Sequence, residues 1–119
     1  MTLLERARKG LTPEIEAVAA QEGVDSEMLR KSVAAGRAVI PLNIKGRARP
    51  IGIGEGLRVK VNVNLGTSAD HIDVDEELEK VKIAERFGAH AVMDLSTGGD
   101  IDSIRGKIAS STKLPLGTV

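Results

Sequence analysis

"RVKVNVNLGTSAD", from Arg58 to Asp70, is the stretch on which the fold turns. Val59, Val61, Val63 and Leu65 alternate with Lys60, Asn62 and Asn64, the period-two pattern of a strand with one face in a core. The run then passes through Leu-Gly-Thr-Ser toward a helical pattern, so it reads as the opening of a parallel βα unit. Strands of parallel sheets are normally apolar on both faces. A face carrying two asparagines therefore needs a reason other than simple exposure.

Downstream, the same unit recurs. A helix is predicted from Asp73 to Phe87, with Val74, Leu78, Val81 and Ala84 on one face and Gly88 as its stop. "AHAVMDLS" (89–96) follows as a second strand and "TGGD" (97–100) as a turn. Asp100 is placed to cap a helix near Ile101 to Ala109, and "LPLGTV" (114–119) starts a third strand. The order β-α-β-α-β implies a parallel sheet with right-handed crossovers. In a barrel built from such units, one face of each strand meets the helices and the other looks into the lumen. Val59, Val61, Val63 and Leu65 are then expected against the helices. Lys60, Asn62 and Asn64 point inward, with Asn64 highest, at the mouth where barrel active sites lie. An asparagine there offers a ligand both donor and acceptor.

Upstream of the strand, three helices are expected. Thr2 to Lys9 reads as a short helix stopped at Gly10. Thr12 is an N-cap with Pro13 at the first helical position, Ile15, Val18 and Ala19 form the inward stripe, and Gly23 ends the segment. Asp25 caps a third helix whose stripe is Met28, Leu29, Val33 and Ala34, closed at Gly36. "AVIPLN" (38–43) and "RPIGIGEG" (49–56) read as short extended pieces broken by Pro41, Pro50 and glycines. Between them "IKGRARP" (44–50) is a basic, solvated loop. This divides the chain into an N-terminal helical and extended segment, 1–57, and the first strands and helices of a (βα)8 barrel, 58–119. Three parallel strands with two open edges make a poor free-standing unit. The expectation is a portion of a longer enzyme, incomplete in this chain.

Composition narrows the chemistry. Of 119 residues, 41% are hydrophobic and 29% charged, the balance of a folded chain, with a core of Val, Ile, Leu and Ala because there is one Phe and no Trp or Tyr. Lys plus Arg and Asp plus Glu number 17 each, which leaves no basic field for nucleic acid and, with stacking aromatics missing, disfavours that role. There is no cysteine, and hence no disulfide, thiolate nucleophile or cysteine-held cluster on this chain. "MTLLERARKG" mixes charges through its first turns and lacks the apolar core of a signal peptide, and no run nears a membrane span. A cytoplasmic, soluble protein is expected.

The remaining motifs are weaker. "GIGEG" (52–56) lacks G-x-G-x-x-G spacing and opens no helix, so it reads as a turn rather than a nucleotide loop. "STGGD" (96–100) lies where βα loops carry ligand sites, although Asp100 would repel an anion; an ordinary capped turn and a ligand loop both fit. His71 and His90, isolated and without a third ligand, read as surface or supporting residues rather than a metal site. Asp94 stands mid-strand where an apolar residue belongs. It reads first as a structural carboxylate that fixes a neighbouring loop, and secondly as a ligand-orienting group.

"VKVNVNLGTSAD", "ERFGAHAVMDLSTGGDI" and "LPLGTV", with "RKGLTPEIEAVAAQEGV" and "GRAVIPLNI" before them, closely resemble the phosphomethylpyrimidine synthase (ThiC) family over essentially the whole chain. The resemblance implies a radical S-adenosylmethionine enzyme of thiamin biosynthesis, converting 5-aminoimidazole ribotide to 4-amino-5-hydroxymethyl-2-methylpyrimidine phosphate. It implies a [4Fe–4S] cluster on a C-terminal C-x2-C-x4-C motif, a zinc-type divalent metal held by histidines, a (βα)8 barrel and a homodimer. Carried over by position, the substrate-contacting asparagine is Asn64 and the contacting methionine is Met93, which leaves Asp94 a supporting role. Asn62, a lumen residue with no assigned role, and Ser96 and Thr97 in the following loop are the further candidates for support. The cluster cysteines and later barrel segments are missing. This chain thus matches roughly the first quarter to third of such an enzyme, with no catalytic or metal-ligating residue of its own and no activity expected alone. Two other readings stand beside it: a fragment of the related 5-hydroxybenzimidazole synthase, and a stand-alone binding or assembly module.

Overall fold

A computed structural model describes residues 1–119 as a mixed α/β chain of five helices and two small sheets. The fold separates into two compact units. One comprises residues 1–42 and 50–59, the other 43–49 and 60–119.

The first unit is built from short helices whose ends are written locally. α1 (Leu3–Lys9) starts at a reciprocal capping box, in which the Thr2 side chain accepts from the Glu5 N–H and the Glu5 carboxylate accepts from the Thr2 N–H. α2 (Pro13–Glu22) is capped by the Thr12 side chain and closed by Gly23 in the left-handed region, φ 68°. α3 (Ser26–Ala34) is capped by Asp25. Ala7, Ile15, Val18, Ala19, Leu29, Val33, Ala38 and Ile40 form a continuous core. Met28, expected in the inward stripe of α3, is 43% exposed; Ser32 takes the buried position beside Val33. The two positions lie four apart, and the helix is rotated so that Leu29 rather than Met28 centres the buried face. β1 (Ala38–Val39) and β2 (Ile53–Gly54) pair antiparallel. Ile53 and Gly54 of "GIGEG" are therefore ladder residues, the expected turn follows at Glu55 and Gly56, and Gly52 is buried against Val18 and Leu57.

The second unit carries β3 (Asn62–Leu65), α4 (Val74–Arg86), β4 (Ala91–Asp94), α5 (Ile101–Ser111) and β5 (Leu116–Thr118). The strands form one parallel sheet in the order β3-β4-β5. Asp73 and Asp100 cap the two helices by accepting from the N–H groups of Glu76 and Ser103. Leu65, Val81, Ala84, Val92, Ile104 and Ile108 make the core, flanked by Val63, Val74, Leu78 and Leu116, so both helices cover the face that bears Val63, Leu65 and Val92. Burying a side chain of this size contributes ~1.5–3 kcal/mol.

The strand predicted from Val59 begins only at Asn62. Val59 is 90% and Val61 53% exposed, so only Val63 and Leu65 of the expected stripe pack against the helices. The neighbour sets this limit. β4 starts at Ala91, and ahead of it the His90 ring takes the place of a strand partner, its Nδ1 accepting from the Val61 N–H at 2.9 Å. No helix of the chain is long and apolar enough to cross a membrane.

Candidate functional site

The register of the sheet decides which side chains share a face. Asn62 lies beside Ala91, Asn64 beside Met93 and Leu65 beside Asp94; on the other side of β4, Met93 lies beside Gly117. Side chains alternate along a strand, so Asn62, Asn64, Ala91, Met93 and Gly117 occupy the face opposite α4 and α5. Asn64 is exposed and Met93 half-buried. The Asn62 amide donates from Nδ2 to Oδ1 of Asn64 at 3.1 Å. With its oxygen so engaged, Asn64 has its amide nitrogen to offer a ligand acceptor. Asn64, Met93 and Gly117 form one lateral row across the three strands, close to their C-terminal ends.

Asp94 belongs to the opposite face and is fully buried. Its Oδ1 accepts from the Ser96 N–H at 2.9 Å and from the Ser96 hydroxyl, and its Oδ2 accepts from Arg105 Nε on α5 at 3.2 Å. The guanidinium also donates to the Val119 main-chain oxygen at 2.7 Å, so one side chain ties the ends of β4 and β5. A buried carboxylate is tolerated when its lone pairs are filled in this way. The arrangement makes Asp94 an anchor for the loop that follows it.

A matching contact holds the end of β3. Glu77, 1% exposed on α4, accepts from the Gly66 N–H at 2.7 Å and from Lys80 Nζ at 2.7 Å. Each helix thus returns a charged side chain to the C-terminal end of the strand before it. Glu77 and Arg105 were not singled out in the sequence, yet both carry a signal there. Glu77 falls three after Val74 and four before Val81, and Arg105 four after Ile101 and three before Ile108, positions at which a helix facing a core is apolar.

The two loops are stitched together beyond the strands. The Thr67 N–H donates to Ser96 Oγ at 3.1 Å, the Thr67 hydroxyl donates to the Gly98 carbonyl at 2.6 Å, and the Thr97 N–H donates to the Thr67 carbonyl at 2.9 Å. The loops approach so closely that a Cβ on Gly66 (φ 139°) would lie 2.5 Å from Ser96 N, and one on Gly98 2.3 Å from Ser68 O. Every buried side-chain polar atom in these loops has a partner. Such a plate is preorganised: its hydrogen bonds are made before any ligand arrives.

Neither histidine faces this plate as a free ligand. His71 Nε2 lies 2.6 Å from Glu76 Oε2, and that hydrogen bond, with the carboxylate charge next, pushes the imidazole above its ordinary 6.5. Glu76 is correspondingly held low by His71 and then Lys80. His90 is engaged by the Val61 backbone. No three His, Cys, Asp or Glu side chains converge as a metal site would need. Ser96 and Thr97, expected near the site, sit in the stitched loop, Ser96 buried and bonded to Asp94 and Thr67.

Comparison with known proteins gives a family match. Residues 2–119 match the model of the Radical SAM ThiC family. The chain is 57% identical over 120 residues to phosphomethylpyrimidine synthase 1 of Methanosarcina mazei, 56% identical over 122 residues to a phosphomethylpyrimidine synthase of Thermus thermophilus, and 50% identical over 121 residues to that of Thermococcus kodakarensis. In each case all of this chain is covered, and it spans 28% of the relative's length.

Proposed function

The chain belongs to the radical SAM ThiC family, and we propose that it forms the first wall of the substrate pocket in a polypeptide that converts 5-aminoimidazole ribotide to 4-amino-5-hydroxymethyl-2-methylpyrimidine phosphate. The observation that carries this reading is the row Asn64–Met93–Gly117 on the sheet face that α4 and α5 leave uncovered. On this reading residues 1–57 precede a (βα)8 barrel and residues 58–119 are its first strands and helices. The uncovered face looks into the lumen, and the stitched loops lie at the mouth.

The work of this chain is binding and orientation. Asn64 supplies an amide donor to a polar group of the ligand, Met93 supplies an apolar, polarisable contact, and Asp94 and Glu77 hold the loops that frame them. S-adenosylmethionine and a [4Fe–4S] cluster would supply the radical chemistry of the complete enzyme. The residues present do not fit the cluster, because the chain has no cysteine. They do not fit a zinc-type metal either, since His71 and His90 are bonded elsewhere and far from forming a common ligand set. Both groups are assigned to other segments of the complete polypeptide, which is read as a cytoplasmic homodimer.

The test is product analysis. The complete, cluster-reconstituted polypeptide is expected to turn 5-aminoimidazole ribotide and S-adenosylmethionine into the pyrimidine phosphate, with the 119-residue chain inactive. A benzimidazole product, or no product from a fully loaded enzyme, would overturn the assignment.

A further inference from the structure

The geometry points to Gly117 as a positioning residue that seats the Met93 thioether and thereby shapes the face on which the substrate is proposed to lie. This rests on the reading given above for that face, and it concerns a residue with no polar group and no side chain of its own.

Glycine inside a strand weakens it and marks either an unusual backbone or a close approach. Gly117 is not among the glycines with positive φ, so its backbone is open to any residue. The reason for glycine is space. A Cβ at position 117 would lie 2.8 Å from Met93 Sδ and 3.0 Å from Met93 Cε, with the next atom, Val92 O, only at 4.0 Å. The end of the methionine side chain therefore rests on the bare backbone of β5. Its neighbour on the other side of β4 in the same row is Asn64.

The nature of the close atoms separates this glycine from those of the loops. At Gly66 and Gly98 an added Cβ meets main-chain atoms, which cannot move without disturbing the fold. At Gly117 it meets the far end of a flexible, unbranched side chain with three rotatable bonds. The cost of a methyl group there falls on the conformation of Met93 and not on the sheet. Displaced from β5, the thioether must turn along β4, toward Asn64 or outward from the sheet. Each of these movements changes the surface presented to a ligand while the hydrogen-bonded plate above stays as it is.

The experiment is a double-mutant cycle on the complete polypeptide, with 5-aminoimidazole ribotide titrated calorimetrically in the absence of turnover. Gly117→Ala is expected to weaken binding roughly tenfold, since overfilling a packed contact is felt at this level, with the thermal midpoint little changed. In a Met93→Ala background the same substitution is expected to cost nothing further, because the group it displaces is gone. Additive losses, or unchanged affinity in Gly117→Ala, would overturn the proposal. So would a Gly117→Ala protein that fails to fold, because the strain would then lie in the sheet. Asn64→Ala separates the two levels. If it weakens binding while Gly117→Ala does not, the site stands and the seat falls; if neither responds, the reading of the whole face fails.

Discussion

Arg105 and Asp94 make a buried ion pair at 3.2 Å between α5 and the end of β4, with Asp94 fully enclosed and Arg105 29% exposed. Removing one member leaves the other charge without its partner, and for a buried pair that costs ~3–5 kcal/mol. Arg105→Met is expected at the low end, about 3 kcal/mol, because Ser96 still serves Asp94 and the guanidinium is partly solvated. Urea denaturation followed by circular dichroism measures the loss. A change below the error of that method would show that Asp94 does not depend on Arg105.

Glu77 predicts an asymmetry with its ion-pair partner. Glu77→Ala leaves the Gly66 N–H without an acceptor in a crowded loop and should lower stability by about 2 kcal/mol. Lys80→Ala removes a cation that is 40% exposed and so largely served by water, and should cost less than Glu77→Ala even though Glu77 itself is buried. Equal losses in the two variants would mean that the charge pair, and not the bond to Gly66, is what matters.

Two glycines should respond in opposite directions. Gly98→Ala drives a methyl group into the Ser68 main chain and is expected to cost about 3 kcal/mol. Gly106, inside α5 with nothing within 4 Å of an added Cβ, is free to change. Gly106→Ala should gain ~0.5–1 kcal/mol through helix propensity. Thermal melts of the two single variants suffice to read both signs.

The pair His71–Glu76 carries a pH signature. His71 is raised above its ordinary 6.5, so its contribution is fully present below that value and is lost as pH rises through the folded value. Glu76 is lowered below 4.5, so its contribution is present above 4.5 and is lost as pH falls through the folded value. The stability difference between the wild type and Glu76→Gln should thus be largest between 4.5 and 6.5 and shrink above it. The pair is exposed, so the effect is small. Following the His71 ring by NMR, Glu76→Gln is expected to bring its titration midpoint down toward 6.5; an unmoved midpoint would remove Glu76 as the cause.

Substrate recognition has its own variant. Asn64→Ala in the complete polypeptide is expected to weaken 5-aminoimidazole ribotide binding by roughly 1–3 kcal/mol, the cost of leaving a polar group of the ligand unpaired. Calorimetric titration gives the number directly, and an unchanged affinity would take Asn64 out of the pocket.

The helices and the faces of the strands were legible because their causes are local. Thr12, Asp25, Asp73 and Asp100 act on N–H groups within three residues, and alternation along β3 separates Asn64 from Leu65; along β4 it only puts Met93 and Asp94 on opposite faces, and the family resemblance chose between them. The start of β3 was not legible, since it depends on where His90 and Ala91 lie beside it. The same holds for the loop plate. Thr67 reads as an ordinary loop residue until Ser96 and Gly98, about thirty positions away, are brought against it. Gly117 reads as one more residue of a third strand until the Met93 sulfur is found above it. Met28 shows the limit of periodicity, which fixes the spacing of a stripe but not its centre.

The two helix-to-strand contacts share one further property. Glu77 closes on Gly66 and Arg105 on Asp94, each across eleven positions of chain. A loop of that length closes within ~10–100 ns, far faster than synthesis adds residues. The Glu77–Gly66 and Arg105–Asp94 contacts can accordingly each form as soon as their own helix has emerged, whereas the Thr67 bonds to Ser96 and Gly98 must wait for the following loop. The end of each strand is thus tied first by its own helix, and only afterwards to the neighbouring loop.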